Sequence, residues 1–273
     1  MTQIIACAGA KGSGKNTAAN FLHGHVLKLN EVLKDYHIDK KGLLQATTQY
    51  IKDGEVHQEE GVMDLTRLDD LWLNYADQNV WPIIKLYSFA DALKEICVSL
   101  FGLTHEQAYG TYKNSATKLF WENMPGVISP DKAQSLKIPE EDLVAVGIMV
   151  HKNGRMTARE VLQYVGTEIF RRMYGNVWID LLIAKIKVDE PEIAVIADCR
   201  FDNEAAAVKE NGGILVKLTR NTDPDDHISE NGFKDTIFDK VIDNANMSIS
   251  EAHAELLEFL IQRGVTQLVQ KIS

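Results

Sequence analysis

Residues 2–22 read TQIIACAGAKGSGKNTAANFL, and the order of residue types in this stretch decides the fold. Thr2 to Ala8 is a short apolar run rich in strand formers, broken at once by a glycine-rich turn. Beyond the turn, Ala18, Phe21, Leu22, Val26 and Leu29 recur at helical spacing. The reading is strand, glycine turn, helix. Gly9-Ala10-Lys11-Gly12-Ser13-Gly14-Lys15 fits G-x-x-x-x-G-K in the context where that pattern cradles phosphate, after a strand and before a helix. Glycines let successive backbone N–H groups turn inward, the helix start adds its dipole, and Lys15 reaches the outer phosphates. Asn16 follows the lysine, and the hydroxyl that commonly ligates Mg²⁺ comes one residue later, at Thr17.

Working outward, Asn30 to Asn79 is polar and weakly periodic and reads as an insertion or a helical excursion. Trp81 to Tyr87 predicts a second strand, and Asp91 to Phe101 a helix closed by Gly102. Thr104 to Arg155 is irregular. From Thr157 to Met173 a helix is expected, because Thr157 and Glu160 form an S/T-x-x-E capping box ahead of an apolar stripe. Further helices are predicted at Val177–Val188, up to Glu210, and at about Ser250–Gln262, with strands at Ile193–Ala197, Ile214–Leu218 and Lys240–Ile242. Five strands alternating with helices imply an α/β fold, an open parallel sheet with helices on both faces. Ligands of such sheets bind beyond the carboxyl ends of the strands.

One of those ends carries Asp198, Cys199 and Arg200. An aspartate there is placed to hold Mg²⁺, directly or through water, and Arg200 to clamp a transferring phosphoryl group; a pair capping the next helix is the alternative. The cations available to neutralise phosphate charge are Lys11, Lys15, Lys94, Arg159, Arg171, Arg172, Arg200 and Arg220.

Composition narrows the function. With 39 acidic and 29 basic residues among 273 the net charge is −10, which argues against broad contact with nucleic acid and for local cations in a pocket. No stretch approaches the roughly 20 apolar residues of a membrane span, so a cytoplasmic protein is expected. Three scattered cysteines without a CxxC pair predict small buried thiols rather than disulfides or zinc.

These pieces resemble the bacteriophage-type deoxynucleoside monophosphate kinases, of the P-loop nucleoside monophosphate kinase branch. The matching segments are GAKGSGKNT, SFADALK at Ser88–Lys94, TAREVLQYVGTEIFRR at Thr157–Arg172 and Trp178. They continue with ADCRFDNE from Ala197, LTRN at Leu218–Asn221, DHISENG from Asp226 and VIDN at Val241–Asn244. The resemblance implies one P-loop kinase domain over 1–273, with a core at about 1–29, 81–102 and 190–273. It adds an insertion at 30–80, a monophosphate-binding region at about 88–180 and a lid-like segment at 221–238.

ATP and Mg²⁺ are the implied cofactors and a deoxynucleoside monophosphate the implied acceptor, with phosphoryl transfer through Lys15, Asp198 and Arg200. Donor-binding residues would be Gly9, Lys11, Gly12, Ser13, Gly14, Lys15, Asn16, Thr17, Arg220 and Asn244; metal ligands would be Thr17 and Asp198. Ser88, Phe89, Lys94, Lys113, Trp121, Arg159, Gln163 and Thr167 would line the acceptor site. The resemblance also suggests an isologous homodimer. His227 and Glu230 match a family stretch without a derivable role. Two positions depart from the family loop: Gly12, where Arg often stands, and Asn16, where Asp often stands.

A regulatory GTPase would need an Asn-Lys-x-Asp motif, and the chain contains no Asn-Lys pair. Hydrolytic motors place a glutamate beside the strand-end aspartate, where Cys199 stands here. A phosphomevalonate-kinase-like or dephospho-coenzyme-A-kinase-like enzyme, or a non-catalytic nucleotide-binding module, remains as an alternative.

Overall fold

The computed structural model describes residues 2–52, 55–220 and 237–269. The chain divides into two compact units, the first formed by Met1–Phe89 and Ile179–Ser273, the second by Ala90–Trp178.

In the first unit β1 (Gln3–Ala8) runs into α1 (Lys15–Leu29) through the glycine turn. An antiparallel sheet follows, made of β2 (Asp35–Ile38), β3 (Leu44–Lys52) and β4 (Glu55–Val62), then α2 (Asp70–Asn79) and β5 (Ile84–Tyr87). The second unit holds α3 (Asp91–Phe101), α4 (His105–Ala108), β6 (Ala116–Phe120), β7 (Val127–Ile128), α5 (Pro130–Leu136) and α6 (Glu140–Ala145). It continues with β8 (Met149–Val150), β9 (Arg155–Thr157), α7 (Ala158–Gln163) and a π-helical stretch, Tyr164–Arg171. After α8 (Val177–Asp189) the first unit resumes with β10 (Ile193–Cys199), α9 (Asp202–Glu210), β11 (Ile214–Leu218), β12 (Lys240–Ile242) and α10 (Ile249–Gln262).

The core is a five-stranded sheet in the order β12-β11-β1-β10-β5, every neighbouring pair parallel. Its central strands are buried on both faces, as parallel strands covered by helices must be. Ile5, Cys7, Val195, Val216 and Ile242 join Leu22 and Val26 of α1, Ala76 of α2 and Leu256 and Leu260 of α10 in one apolar cluster. The alternate residues Ile4, Ala6, Ile196 and Leu215 are buried as well, as the two-residue period of a strand dictates. No helix among the described residues is long and apolar enough to cross a membrane.

Most expected elements form where the periodicity places them. Gly102 closes α3 at φ 68°, and the capping box at Thr157 is complete: its Oγ1 accepts from the Glu160 N–H while the Glu160 carboxylate accepts from the Thr157 N–H at 2.6 Å. The expected strand at Trp81 begins three residues later, because Trp81 still donates to Ala76 at the end of α2 and Ile84 donates back to Val80. The helical alternative for 30–79 is corrected: its first part forms the antiparallel strands β2, β3 and β4, and α2 is its one helix of more than a turn among the described residues. Most of the expected lid-like segment, Asn221 to Thr236, lies outside the described residues, together with His227 and Glu230.

Candidate active site

The glycine turn is forced by space as much as by φ. Gly9 leaves β1 at φ 139°, and a Cβ there would stand 2.3 Å from the Leu218 carbonyl oxygen and 2.7 Å from Ser13 Oγ. No other residue fits without displacing β11. Gly12 (φ 76°) and Gly14 (φ 100°) also take left-handed conformations, and Gly14 is the residue from which α1 starts. That helix start has no side-chain cap and no acidic residue in its first turn, so its leading N–H groups and dipole face the turn uncompensated. Lys15 is only 8% exposed, yet its ammonium lies within the turn, donating to the carbonyls of Gly9 and Ala10 at 2.7 Å each. Ser13 is fully buried and its hydroxyl has no hydrogen-bond partner among the described residues. A buried hydroxyl costs free energy unless bonded, so this one fits an anion held by the turn.

The turn is strapped from the other side of the sheet. Asn244, just past β12 and 6% exposed, donates from Nδ2 to the Ser13 carbonyl at 2.8 Å and accepts at Oδ1 from the Arg220 N–H at 2.9 Å. The Arg220 guanidinium reaches the Met247 carbonyl at 3.2 Å. Both residues thus hold the P-loop and the exit of β11 in register. Beside them a pocket of about 210 Å³ opens, lined by Gly12, Gly14 and Thr17 of the loop together with Leu218, Arg220 and Asn244.

On the opposite side of β1 stands the β10 tip. Ala8 pairs with Cys199, so Asp198 and Arg200 emerge next to the start of the loop. The Asp198 carboxylate accepts from Ser88 Oγ at 2.5 Å and from the Phe89 N–H at 3.0 Å, which ties the ends of β10 and β5 together. The start of the following helix is held by a further residue. Glu204, 1% exposed, accepts from the N–H groups of Arg200 and Phe201 at 2.7 and 3.2 Å and fixes the start of α9. All three cysteines are free and buried. Burial pushes the Cys7 and Cys97 thiols up to about 12, and Cys199 is raised chiefly by burial and further by Glu204 and Asp198. The Lys15 charge opposes the shift at Cys7 and Cys199, a sign of how near the ammonium lies to both strand tips.

Within the second unit, Lys94 pairs with Asp91 at 3.1 Å and lies 4.8 Å from the ring centroid of Tyr109. Arg159 Nε donates to Asn114 Oδ1 at 3.2 Å, beside Lys113, and Gln163 and Thr167 follow it along α7 and the π-helical stretch. Trp121 does not offer an open ring face: it is 7% exposed, stacked on His151 at 3.8 Å and met edge-on by Tyr164 at 5.7 Å. This packing is that of a buried anchor. Trp178 donates to the Gly166 carbonyl at 3.2 Å, locking the end of this unit onto the π-helical stretch.

The sequence profile described as deoxynucleotide monophosphate kinase matches residues 3–253. The chain belongs to this family. It is 29% identical over 185 residues to a protein of Acanthamoeba polyphaga mimivirus provisionally named a deoxynucleotide monophosphate kinase, covering 62% of this chain and 79% of the relative. It is 34% identical over 87 residues to the deoxynucleoside-5′-monophosphate kinase of Escherichia phage T5, covering 28% of this chain and 35% of that protein. Deoxynucleotide monophosphate kinases are phosphotransferases, and ATP is their phosphate donor. In this family member two contributors to the site escaped the sequence reading. Glu204 sits at the third position of α9 without a Ser, Thr or Asp cap before it, so the usual signature is missing. His253 lines the pocket from α10, more than 200 residues from the loop it faces, and no local pattern reports such a contact.

Proposed function

We propose that this chain transfers the γ-phosphoryl group of ATP to a deoxynucleoside 5′-monophosphate, giving the diphosphate and ADP. One observation carries the reading: a glycine turn holds a buried lysine ammonium, and a buried hydroxyl without a partner among the described residues, at the head of a helix directly beside a strand tip bearing Asp198 and Arg200.

In this reading the polyphosphate takes the backbone N–H groups of Gly12, Gly14, Lys15 and Asn16 and the Ser13 hydroxyl, while Lys15 exchanges its two carbonyl partners for β- and γ-phosphate oxygens. Arg200 stabilises the charge that builds on the transferring group. An acceptor phosphate oxygen is already anionic and needs no general base. The donors present suit Mg²⁺, which takes one or two carboxylates beside substrate phosphates and water rather than an all-protein cage. Asp198 and the Thr17 hydroxyl are the residues assigned to it. When bound, the ion would neutralise negative charge on the donor phosphates. Ser88 and Phe89 act by holding the Asp198 carboxylate in place. Lys94, Lys113, Arg159, Gln163 and Thr167 of the second unit are assigned to acceptor recognition on the family resemblance. The enzyme is assigned to the cytoplasm.

The test is ADP release from ATP across dTMP, dGMP, dCMP, dAMP, the four ribonucleotides and phosphomevalonate. Release that depends on a deoxynucleoside monophosphate is expected. Equal release without acceptor, or release with phosphomevalonate alone, defeats the assignment.

A further inference from the structure

The pocket beside the P-loop has a wall that the core sheet does not supply. Lys40, Lys41 and Gly42, the turn between β2 and β3, line it opposite the exit of β11. This turn is anchored to α1 independently of any ligand. Asn20 donates to the Gly42 carbonyl at 2.8 Å, and Gly42, at φ 80°, lies so close that a Cβ would fall 2.3 Å from Thr17 Oγ1. Asp39 shapes the turn by accepting from the N–H groups of Lys41 and Leu43 at 2.8 and 2.9 Å.

The inner end of the pocket is apolar, with Ala18, Ala252 and Leu256, but contains one polar side chain, His253. This imidazole is 7% exposed and stacked on Phe21 at 4.4 Å between centroids. Its ring nitrogens make no hydrogen bond among the described residues, and burial lowers its pKa to about 4, so it is neutral near pH 7 and offers one donor and one acceptor. An occupant that satisfies this lining needs a flat apolar body with a hydrogen-bonding edge, and negative charge toward two lysines. A nucleotide whose phosphates lie on the adjoining loop has that chemistry, and the volume far exceeds what a single water needs.

We propose that the antiparallel insertion is a donor-recognition element: its Lys40–Lys41 turn supplies positive charge toward the phosphates of the nucleoside triphosphate on the P-loop, and His253, at the inner end of the same pocket, meets the base. This rests on the kinase reading above for which nucleotide is the donor. The sheet order supports the side: the pocket lies toward β11 and β12, whereas Asp198 and Ser88 lie toward β10 and β5, on the other side of β1.

The test compares wild type with Lys40→Ala/Lys41→Ala, Asn20→Ala and His253→Phe, reading ATP affinity by displacement of a fluorescent ATP analogue and KM for ATP and for the monophosphate separately. The double lysine variant is expected to weaken ATP binding about tenfold with the monophosphate KM within about twofold, and Asn20→Ala to shift in the same direction. His253→Phe keeps the ring stack and is expected to reduce the preference for ATP over GTP. ATP affinity within about twofold of wild type in the double variant overturns the proposal, whatever His253→Phe does, because both lysines are exposed and their loss leaves the core intact. A wild-type protein that binds ATP through this turn but phosphorylates no deoxynucleoside monophosphate would sink the kinase reading and leave the inference standing.

Discussion

Gly9 is the residue on which the loop depends most directly. Its added methyl group would meet the Leu218 carbonyl at 2.3 Å, a backbone atom that cannot swing aside, at a φ of 139° that side chains rarely adopt. Gly9→Ala is therefore expected to lower stability by about 1–3 kcal/mol and to weaken ATP binding, because the loop must move away from β11. Chemical denaturation and nucleotide titration check both; a variant as stable and as tight as wild type would remove the steric argument. Residues at this scale were legible wherever chemistry and local order coincide: Gly9, Gly14 and Lys15 follow from one short motif. The amide of Asn244, expected among the donor-binding residues, straps Ser13 and Arg220, an arrangement that depends on strands far apart in sequence and that no local pattern reports.

Asn244 also sets the prediction that belongs to the elements. By joining the end of β12 to the P-loop and to the exit of β11, it keeps three strand ends in register. Asn244→Ala leaves the buried Ser13 carbonyl and the Arg220 N–H without these partners, at a cost of about 1–3 kcal/mol. It is expected to raise the KM for ATP more than that for the monophosphate, measured by varying each substrate in turn; equal effects on both would show that the strap does not serve the donor side. The insertion shows why some elements stayed hidden. In β4, EVHQEEGV, nearly every described side chain is exposed, so no apolar alternation marks a strand. Among the described side chains of β3, Leu44 and Ala46 are buried, too few to register as a period of two. The one local signal was the Asp39–Gly42 turn between two runs rich in β-branched and aromatic residues.

For the whole molecule, parallel strands with crossover helices were readable because each central strand is apolar on both faces, and that pattern needs no knowledge of partners. Folding has also sealed a titratable group inside. His23 donates through Nδ1 to the Ala19 carbonyl in its neutral form, and burial lowers its pKa from 6.5 to about 4. Below pH 6.5 the unfolded chain binds a proton at this residue that the folded chain refuses until about pH 4, so stability falls as pH drops through that window. Urea unfolding between pH 7 and pH 4.5 is expected to show the loss, on the order of 2 kcal/mol from this residue, with a shallower slope in His23→Leu. Identical slopes would mean that the imidazole titrates normally in the fold. The fate of the γ-phosphoryl group of ATP separates transfer from hydrolysis. With γ-radiolabelled ATP and each deoxynucleoside monophosphate in turn, label is expected in the diphosphate rather than in inorganic phosphate, and Lys15→Ala is expected to cut the rate by about three orders of magnitude while remaining folded. Label appearing only as inorganic phosphate, or transfer by folded Lys15→Ala at the wild-type rate, would contradict it.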